Sequence, residues 1–389
     1  MKIKSVRSVR VRLPEQTSKV NPRRPSWNKS AKRAMPINLY PWFSRYPSDM
    51  PGGQLEAVWV RVVAEDGTWG LGECAFGEPV SAFINTVIAP IIEGQNCMAI
   101  EHLNDLVVRV SQRFGTSGTA STAMSGVDLA LWDLKGKILN QPVYSLLGGP
   151  VRESITCYAT SDDLDWSQEL GFTKFKITNP SHYSDGETGI KAVVDHVSQA
   201  RERVGAEHDL MINPVMSYNF EFAQRLLEHL RPYNLRWLEE PLVPTDNDGL
   251  ARLRKSAPWV AIATGEDHHG RHAFLDLVEK RAADILQPDL NWGGGLTEAM
   301  KIHTIGEIAG IATIPHGGAN NPFGQHFAMA ATESPMAEYW LGTDPGVPLE
   351  DTIRIPGTAT PVNGKIVPSS GPGFGMHIEQ GDISEWGTS

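Results

Sequence analysis

The residues with chemical potential in this chain sit at the ends of short apolar stretches. Read in order they are Lys174 and Lys176 in TKFKIT, Asn213 closing DLMIN, and Glu239 and Glu240 closing RWLEE. They continue with Glu266 after VAIATG, Asp289 in DILQPD, His316 after IATIP and Glu338 in AEYW. A single acid at the end of such a stretch is ordinarily a solvated side chain. A series of polar or ionisable groups, each delivered by the next apolar stretch, points to one shared rim. Burying that many charges without a ligand costs several kcal/mol per ion, and a bound cation would offset the cost for the acids. The oxygen donors Asn213, Glu239 and Glu266 suit a hard ion such as Mg²⁺, which takes few protein carboxylates and leaves positions for substrate oxygens. In this reading Glu239 turns inward to the metal. Glu240 faces the other way, toward a neighbouring loop or a basic partner.

The elements that must position these groups follow from pattern. Eight apolar stretches beginning at ITCYAT alternate with amphipathic segments such as GIKAVVDHVSQARERVG and NFEFAQRLLEHL. Strands alternating with helices imply βαβ units and a parallel sheet. Eight such strands in about 190 residues fit a (β/α)₈ barrel, with an open doubly wound sheet as the alternative. In a barrel, the C-terminal strand ends line the mouth where chemistry is done. Before the barrel, KIKSVRSVRVRL and QLEAVWVRVVAEDGTWGLGE read as strands with a turn at Asp66-Gly67, and STAMSGVDLALWDLKGKIL reads as a helix. Between these strands lies a long proline-rich loop whose aromatics and cations, among them Trp27, Arg33 and Arg45, suit either a lid over a polyhydroxylated anion or a loop that packs on a partner subunit. The expected division is a capping domain with this lid over residues 1–140, a barrel over 141–345, and a C-terminal segment over 346–389 that packs back on the cap.

Composition narrows the functional class. A formal net charge of −10 argues against a nucleic-acid partner. No apolar run approaches the roughly 18 residues needed to span a bilayer. Three cysteines without a CxxC spacing fit a reducing compartment, hence a cytoplasmic protein, and not a disulfide framework or a zinc site. Aromatic loops on a barrel of this size suggest association into a homo-oligomer.

VDLALWDLKGK followed by PVYSLLGG, the KFK, the WLEEP, the GE after the fifth strand, the QPD and the PHG occur in an order and spacing that resemble the enolase superfamily. The resemblance covers nearly the whole chain and lies with the mandelate racemase-like subgroup. GEDHHG, QPDLNWGGGLTEA, PVNGKI and GPGFG are similar to its L-rhamnonate dehydratase group of acid-sugar dehydratases. It implies an α+β cap made from the two chain ends over a Mg²⁺-binding barrel. The implied reaction removes the proton α to a carboxylate and eliminates the 3-hydroxyl of an aldonate such as L-rhamnonate, L-lyxonate or L-mannonate, giving a 2-keto-3-deoxy acid. The resemblance makes His316, paired with Asp289, the base, and has Glu338 hydrogen-bond the second carboxylate oxygen, protonated when the enediolate develops. Lys176 is either a second base, as in the racemases or epimerases of the family, or a cation that neutralises the carboxylate. Lys174, Arg45, Trp27, Arg33 and His268 fall to substrate binding. Two departures stand out. Asn213 occupies a position where the family has Asp, which also keeps open a non-catalytic, acid-sugar-binding barrel. GEDHHG leaves Asp267 and His268 as rivals for the place after Glu266.

Overall fold

The computed structural model describes residues 1–15, 18–40, 56–352 and 354–387. The N-terminal part builds an antiparallel sheet from β1 (Ile3–Val11), β2 (Val58–Ala64) and β3 (Trp69–Cys74). The far end of the chain returns to add a fourth strand on the other edge of β1, pairing Val9 with Glu385. The C-terminal tail therefore completes the cap, as the resemblance implied.

Against this sheet lies the long helix Thr119–Leu139, which is buried on most of its surface. Its approach to β3 is as close as backbone allows. A Cβ on Gly72 would stand 2.2 Å from the carbonyl oxygen of Gly126, and one on Gly126 would stand 2.7 Å from Cys74 Sγ. Glycine on both surfaces is what lets the two backbones meet. Two buried acids then tie the helix to its surroundings. Asp133 accepts the N–H groups of Leu71 (2.9 Å) and Phe374 (3.0 Å). Asp128 accepts the N–H (2.9 Å) and the hydroxyl (2.5 Å) of Thr297, which opens a barrel helix. The cap is fixed to the barrel by satisfied polar bonds inside an apolar contact, not by apolar contact alone.

The barrel strands are β4 (Ile155–Thr160), β5 (Lys174–Thr178), β6 (Asp209–Asn213), β7 (Trp237–Glu239), β8 (Ala261–Thr264), β9 (Ile285–Leu286), β10 (Ala312–Thr313) and β11 (Ala337–Trp340). All eight coincide with the apolar stretches read from the sequence. They pair in parallel in the order β10-β9-β8-β7-β6-β5-β4-β11. The return of β11 onto β4, with Glu338 opposite Tyr158, curls the sheet upon itself. The pairing breaks between β10 and β11, where Thr313 N–H reaches Glu333 O (2.9 Å) instead. Alternation along the strands separates two cores. Phe175, Ile177, Leu210, Ile212, Leu238 and Ile262 face the helices. Tyr158, Met211, Trp237, Ala263 and Ile314 fill the inside.

Candidate active site

Four of the expected groups, Lys176, Glu239, Glu338 and Asn213, meet inside the barrel mouth as one network. Lys176, on the inward face of β5, is 1% exposed and holds Glu338 Oε1 at 2.7 Å and Glu239 Oε1 in a short contact. Glu239 receives two further donors at its other oxygen, from Trp237 Nε1 (3.0 Å) and Gln287 Nε2 (2.8 Å). Asn213 Nδ2 donates to Glu239 Oε1 at 2.8 Å, while its Oδ1 accepts the Val215 N–H at 2.7 Å. That second bond fixes the amide orientation, since a flipped amide would oppose two donors. Glu338 is likewise saturated, by Lys176, by the Thr160 hydroxyl (2.5 Å) and by the Gly317 N–H (2.9 Å).

On the opposite side of the mouth stands a dyad. His316 Nδ1 lies 2.8 Å from Asp289 Oδ2, and Asp289 Oδ1 accepts the N–H groups of Asn291 (2.6 Å) and Trp292 (3.0 Å). A carboxylate held by two backbone donors fixes the ring and favours the tautomer with its proton on Nδ1. Nε2 then faces Glu266 Oε1 at 3.3 Å. Burial disfavours the imidazolium, but Glu266, Asp289 and Glu338 outweigh it and raise the His316 pKa well above its ordinary value.

The acids divide by environment. Burial would raise Glu338, yet Lys176, His316 and the Gly317 N–H bring it down to about 2. Glu338 is a carboxylate in this arrangement. Burial also disfavours the ammonium of Lys176, but Glu239 and Glu338 outweigh it and hold the proton. Glu266 is pushed up to about 7, by burial against the opposing pull of His316. Asp267 is raised, chiefly by burial, and Glu240 is raised far more, by burial and by the charges of Glu266, Asp267 and Glu239. Glu240 is 1% exposed and faces no basic partner among the described residues, contrary to the outward orientation expected from alternation. Glu73 on β3 brings the cap to the same mouth, its carboxyl pushed to about 7 by burial and then by Asp289.

Four of the expected substrate contacts are placed elsewhere or away from the reacting groups. Lys174 begins β5 and pairs with Asp209 (2.6 Å), which begins β6 and also holds Arg236. That cluster belongs to the N-terminal end of the barrel, opposite the mouth. His268 is turned into the helix layer, on Asn247 Oδ1 (3.1 Å) and against Phe274, and burial lowers its pKa to about 4. Of the two rivals for the place after Glu266, His268 is thus turned away from the mouth. Trp27 is buried, its Nε1 on Leu341 O (2.7 Å) and its ring 4.8 Å from Trp340. Arg33 lies over both rings. This pair anchors the loop to the end of β11. Arg45 lies outside the described residues. Beside β11 a cavity of about 590 Å³ is lined by Glu73, Asn320, Asn321, Trp340 and Arg354, so Glu73 links it to the dyad.

Gln287, Trp237, Thr160 and Glu73 were missed. Period two would have found the first two, each standing two residues before a predicted site acid on the same strand or strand extension.

A divalent cation fits this donor set in charge. Glu239, Glu240, Glu266, Asp267, Asp289 and Glu338 outnumber Lys176 and protonated His316, and both oxygens of Glu240 are buried without a donor. The ligands are not preassembled. No three acid, His or Cys side chains stand ready around one point among the described residues, because Glu239 is held by four N–H donors and one expected ligand is an amide.

Comparison with known proteins agrees with this architecture. The sequence pattern of the enolase C-terminal domain-like family matches residues 162–382, and that of the mandelate racemase / muconate lactonizing enzyme N-terminal domain matches 44–148. An L-rhamnonate dehydratase of Saccharopolyspora erythraea is 35% identical over 349 residues, 89% of each chain. A putative L-rhamnonate dehydratase of Caldivirga maquilingensis is also 35% identical, over 89% of this chain and 87% of its own. The crystal structure of rhamnonate dehydratase from Gibberella zeae complexed with Mg superposes with a TM-score of 0.88 at 29% identity, covering 98% of this chain and 95% of that one. With a barrel carrying acids on successive strand ends, a cap closed by both termini and both family patterns in place, this chain belongs to the mandelate racemase / muconate lactonizing enzyme group of the enolase superfamily.

Proposed function

We propose that the protein is a Mg²⁺-dependent acid-sugar dehydratase, acting on an aldonate of which L-rhamnonate, L-lyxonate and L-mannonate are the first candidates. The observation that carries the reading is the His316–Asp289 dyad, whose Nε2 opens onto an excess of buried carboxylates. Glu266, Glu239 and the Asn213 oxygen would hold the cation, and its charge would make the proton α to the substrate carboxylate acidic. When Glu266 is engaged in that way, Nε2 of His316 loses its anionic neighbour. With Nδ1–H donated to Asp289, it then presents the lone pair that a general base needs. His316 removes the α-proton, and its imidazolium returns a proton to the departing 3-hydroxyl. Water leaves, and the enol tautomerises to the 2-keto-3-deoxy acid.

A racemase would need a second base on the other face of the substrate. Lys176 is poorly suited, since Glu239 and Glu338 hold its proton. The relatives and the polar lining of the cavity beside β11 support a hydroxylated substrate. The three cysteines are buried and unpaired, which accords with work in the cytoplasm. The test is incubation with Mg²⁺ and a panel of aldonic and aldaric acids, scoring 2-keto acid as its semicarbazone. Product from at least one acid sugar, abolished in His316→Asn, is expected. Solvent deuterium entering C2 with no keto acid formed would replace dehydration by epimerisation.

A further inference from the structure

We propose that Glu240 is a cation-facing carboxylate of this site and supplies the negative charge that Asn213 does not. The inference rests on the metal reading above and adds a ligand to it.

Glu240 is 1% exposed, and neither of its carboxylate oxygens has a partner among the described residues. Its neighbour Glu239 shows the contrast, with N–H donors on both oxygens. Buried polar atoms left unpaired are uncommon and costly, so each calls for an explanation. An internal ion pair is not the explanation, because the groups that act on Glu240 are Glu266, Asp267 and Glu239, with His316 alone of opposite sign.

The backbone shows that the placement is imposed. Glu240 has φ of 42°, in the left-handed region a glutamate seldom adopts. Its N–H nevertheless donates to Ala263 O (2.9 Å) of β8, and its carbonyl accepts the Met216 N–H (2.7 Å). Val215 and Met216, just after β6, also have positive φ, of 49° and 57°. Strained conformations of this kind persist where the surroundings over-determine them, and they gather at ligand sites. Here they break the alternation that would have sent Glu240 outward and put a second consecutive carboxylate inside.

The charge balance gives this a purpose. Asn213, Glu239 and Glu266 bring two negative charges to a divalent ion, and Glu240 makes the third. Affinity for hard cations is tuned by the number of charged ligands. The alternative is a neutral carboxylic acid that only fills space, and it predicts different behaviour.

The test is a Mn²⁺ titration, by calorimetry or by paramagnetic resonance, on the full chain and on Glu240→Gln, Glu240→Asp, Glu266→Gln and the double variant Asn213→Asp/Glu240→Gln. Glu240→Gln is expected to bind Mn²⁺ at least about ten-fold more weakly, Glu240→Asp less so, and the double variant to regain part of the loss. The metal-free Glu240→Gln protein should melt no lower than the parent, since the replaced carboxyl group makes no hydrogen bond among the described residues. Loss of Mn²⁺ in Glu266→Gln with affinity within about two-fold of the parent in Glu240→Gln overturns the inference and spares the metal reading. Parent affinity in Glu266→Gln overturns both.

Discussion

Replacing Lys176 by Met removes one charge and keeps the shape of the stem. Two routes give the size of the effect. Breaking a buried ion pair by deleting one partner typically costs about 3–5 kcal/mol. Independently, Glu338 is drawn from an ordinary 4.5 to about 2, a displacement worth about 3 kcal/mol. His316 and the Gly317 N–H share in that displacement, so the part due to Lys176 is smaller, and we expect a loss of about 2–4 kcal/mol. The pH dependence is the sharper signature. In the parent, Glu338 stabilises the fold fully above its unfolded value, and the contribution disappears as pH falls toward 2. Without Lys176, burial has less to oppose it and raises the Glu338 carboxyl above its unfolded value. The folded variant then binds more protons than its unfolded chain, and its stability falls as pH rises. The deficit against the parent should therefore be largest near about pH 8 and shrink near about pH 5. Unfolding free energies of the metal-free proteins in urea at these two pH values measure it. A deficit under about 1 kcal/mol, or one unchanged by acid, would refute a charged Lys176 bridging two buried carboxylates.

Three other outcomes are expected. His316→Asn should keep Mn²⁺ binding and lower kcat by roughly two to four orders of magnitude, measured as keto-acid formation. Gly72→Ala, which drives a Cβ into Gly126 O and Ala130 N, should lower stability by about 1–3 kcal/mol or prevent folding, seen as a lower melting temperature or as insoluble protein. His326 is buried against Tyr144 and Phe374, and burial lowers its pKa from 6.5 to about 3. Its unfolded form takes up a proton first as pH falls below 6.5, so the fold loses up to about 1.4 kcal/mol per pH unit there, and His326→Gln should flatten that slope in urea titrations.

Legibility in the sequence follows how local the cause is. Each barrel strand is buried on both faces and bounded by turns, so its apolar run marks it without tertiary help. The same holds for the dyad, whose members close consecutive strand–loop units in QPD and IPH. Lys174 and Lys176 show where strand reading stops short. Period two puts both on the inner face, but a step of two residues spans about 7 Å along the strand. One therefore reaches the ion cluster at the start of the barrel and the other the mouth, and only the strand's true first residue decides which. His268 and Asp267 depend on a turn. His268 N–H returns to Gly265 O (3.0 Å) with Gly265 at φ of 140°, and the His268 ring turns to Asn247 in the helix layer. The aim of adjacent side chains in such a turn is set by backbone angles that residue types do not specify.

The two glutamates of WLEEP carry the largest consequence. Alternation assigned one to the inside and one to a neighbouring loop or a basic partner, and Glu239 does lie inside. Glu240 escapes the rule because its left-handed backbone is imposed by hydrogen bonds from β8 and from the loop after β6, both remote in sequence. No local signal in a glutamate followed by proline foretells that. The same distant contacts decide the electrostatics of the site. They saturate Glu239 with donors, strip Glu240 of them, and leave Nε2 of His316 against Glu266. The types of the reacting groups are thus written locally, while their protonation and their freedom to take a ligand are set by the closure of the barrel. A substitution in the loop after β6 that relaxes Val215 and Met216 would act on the chemistry through Glu240 without touching a reacting atom.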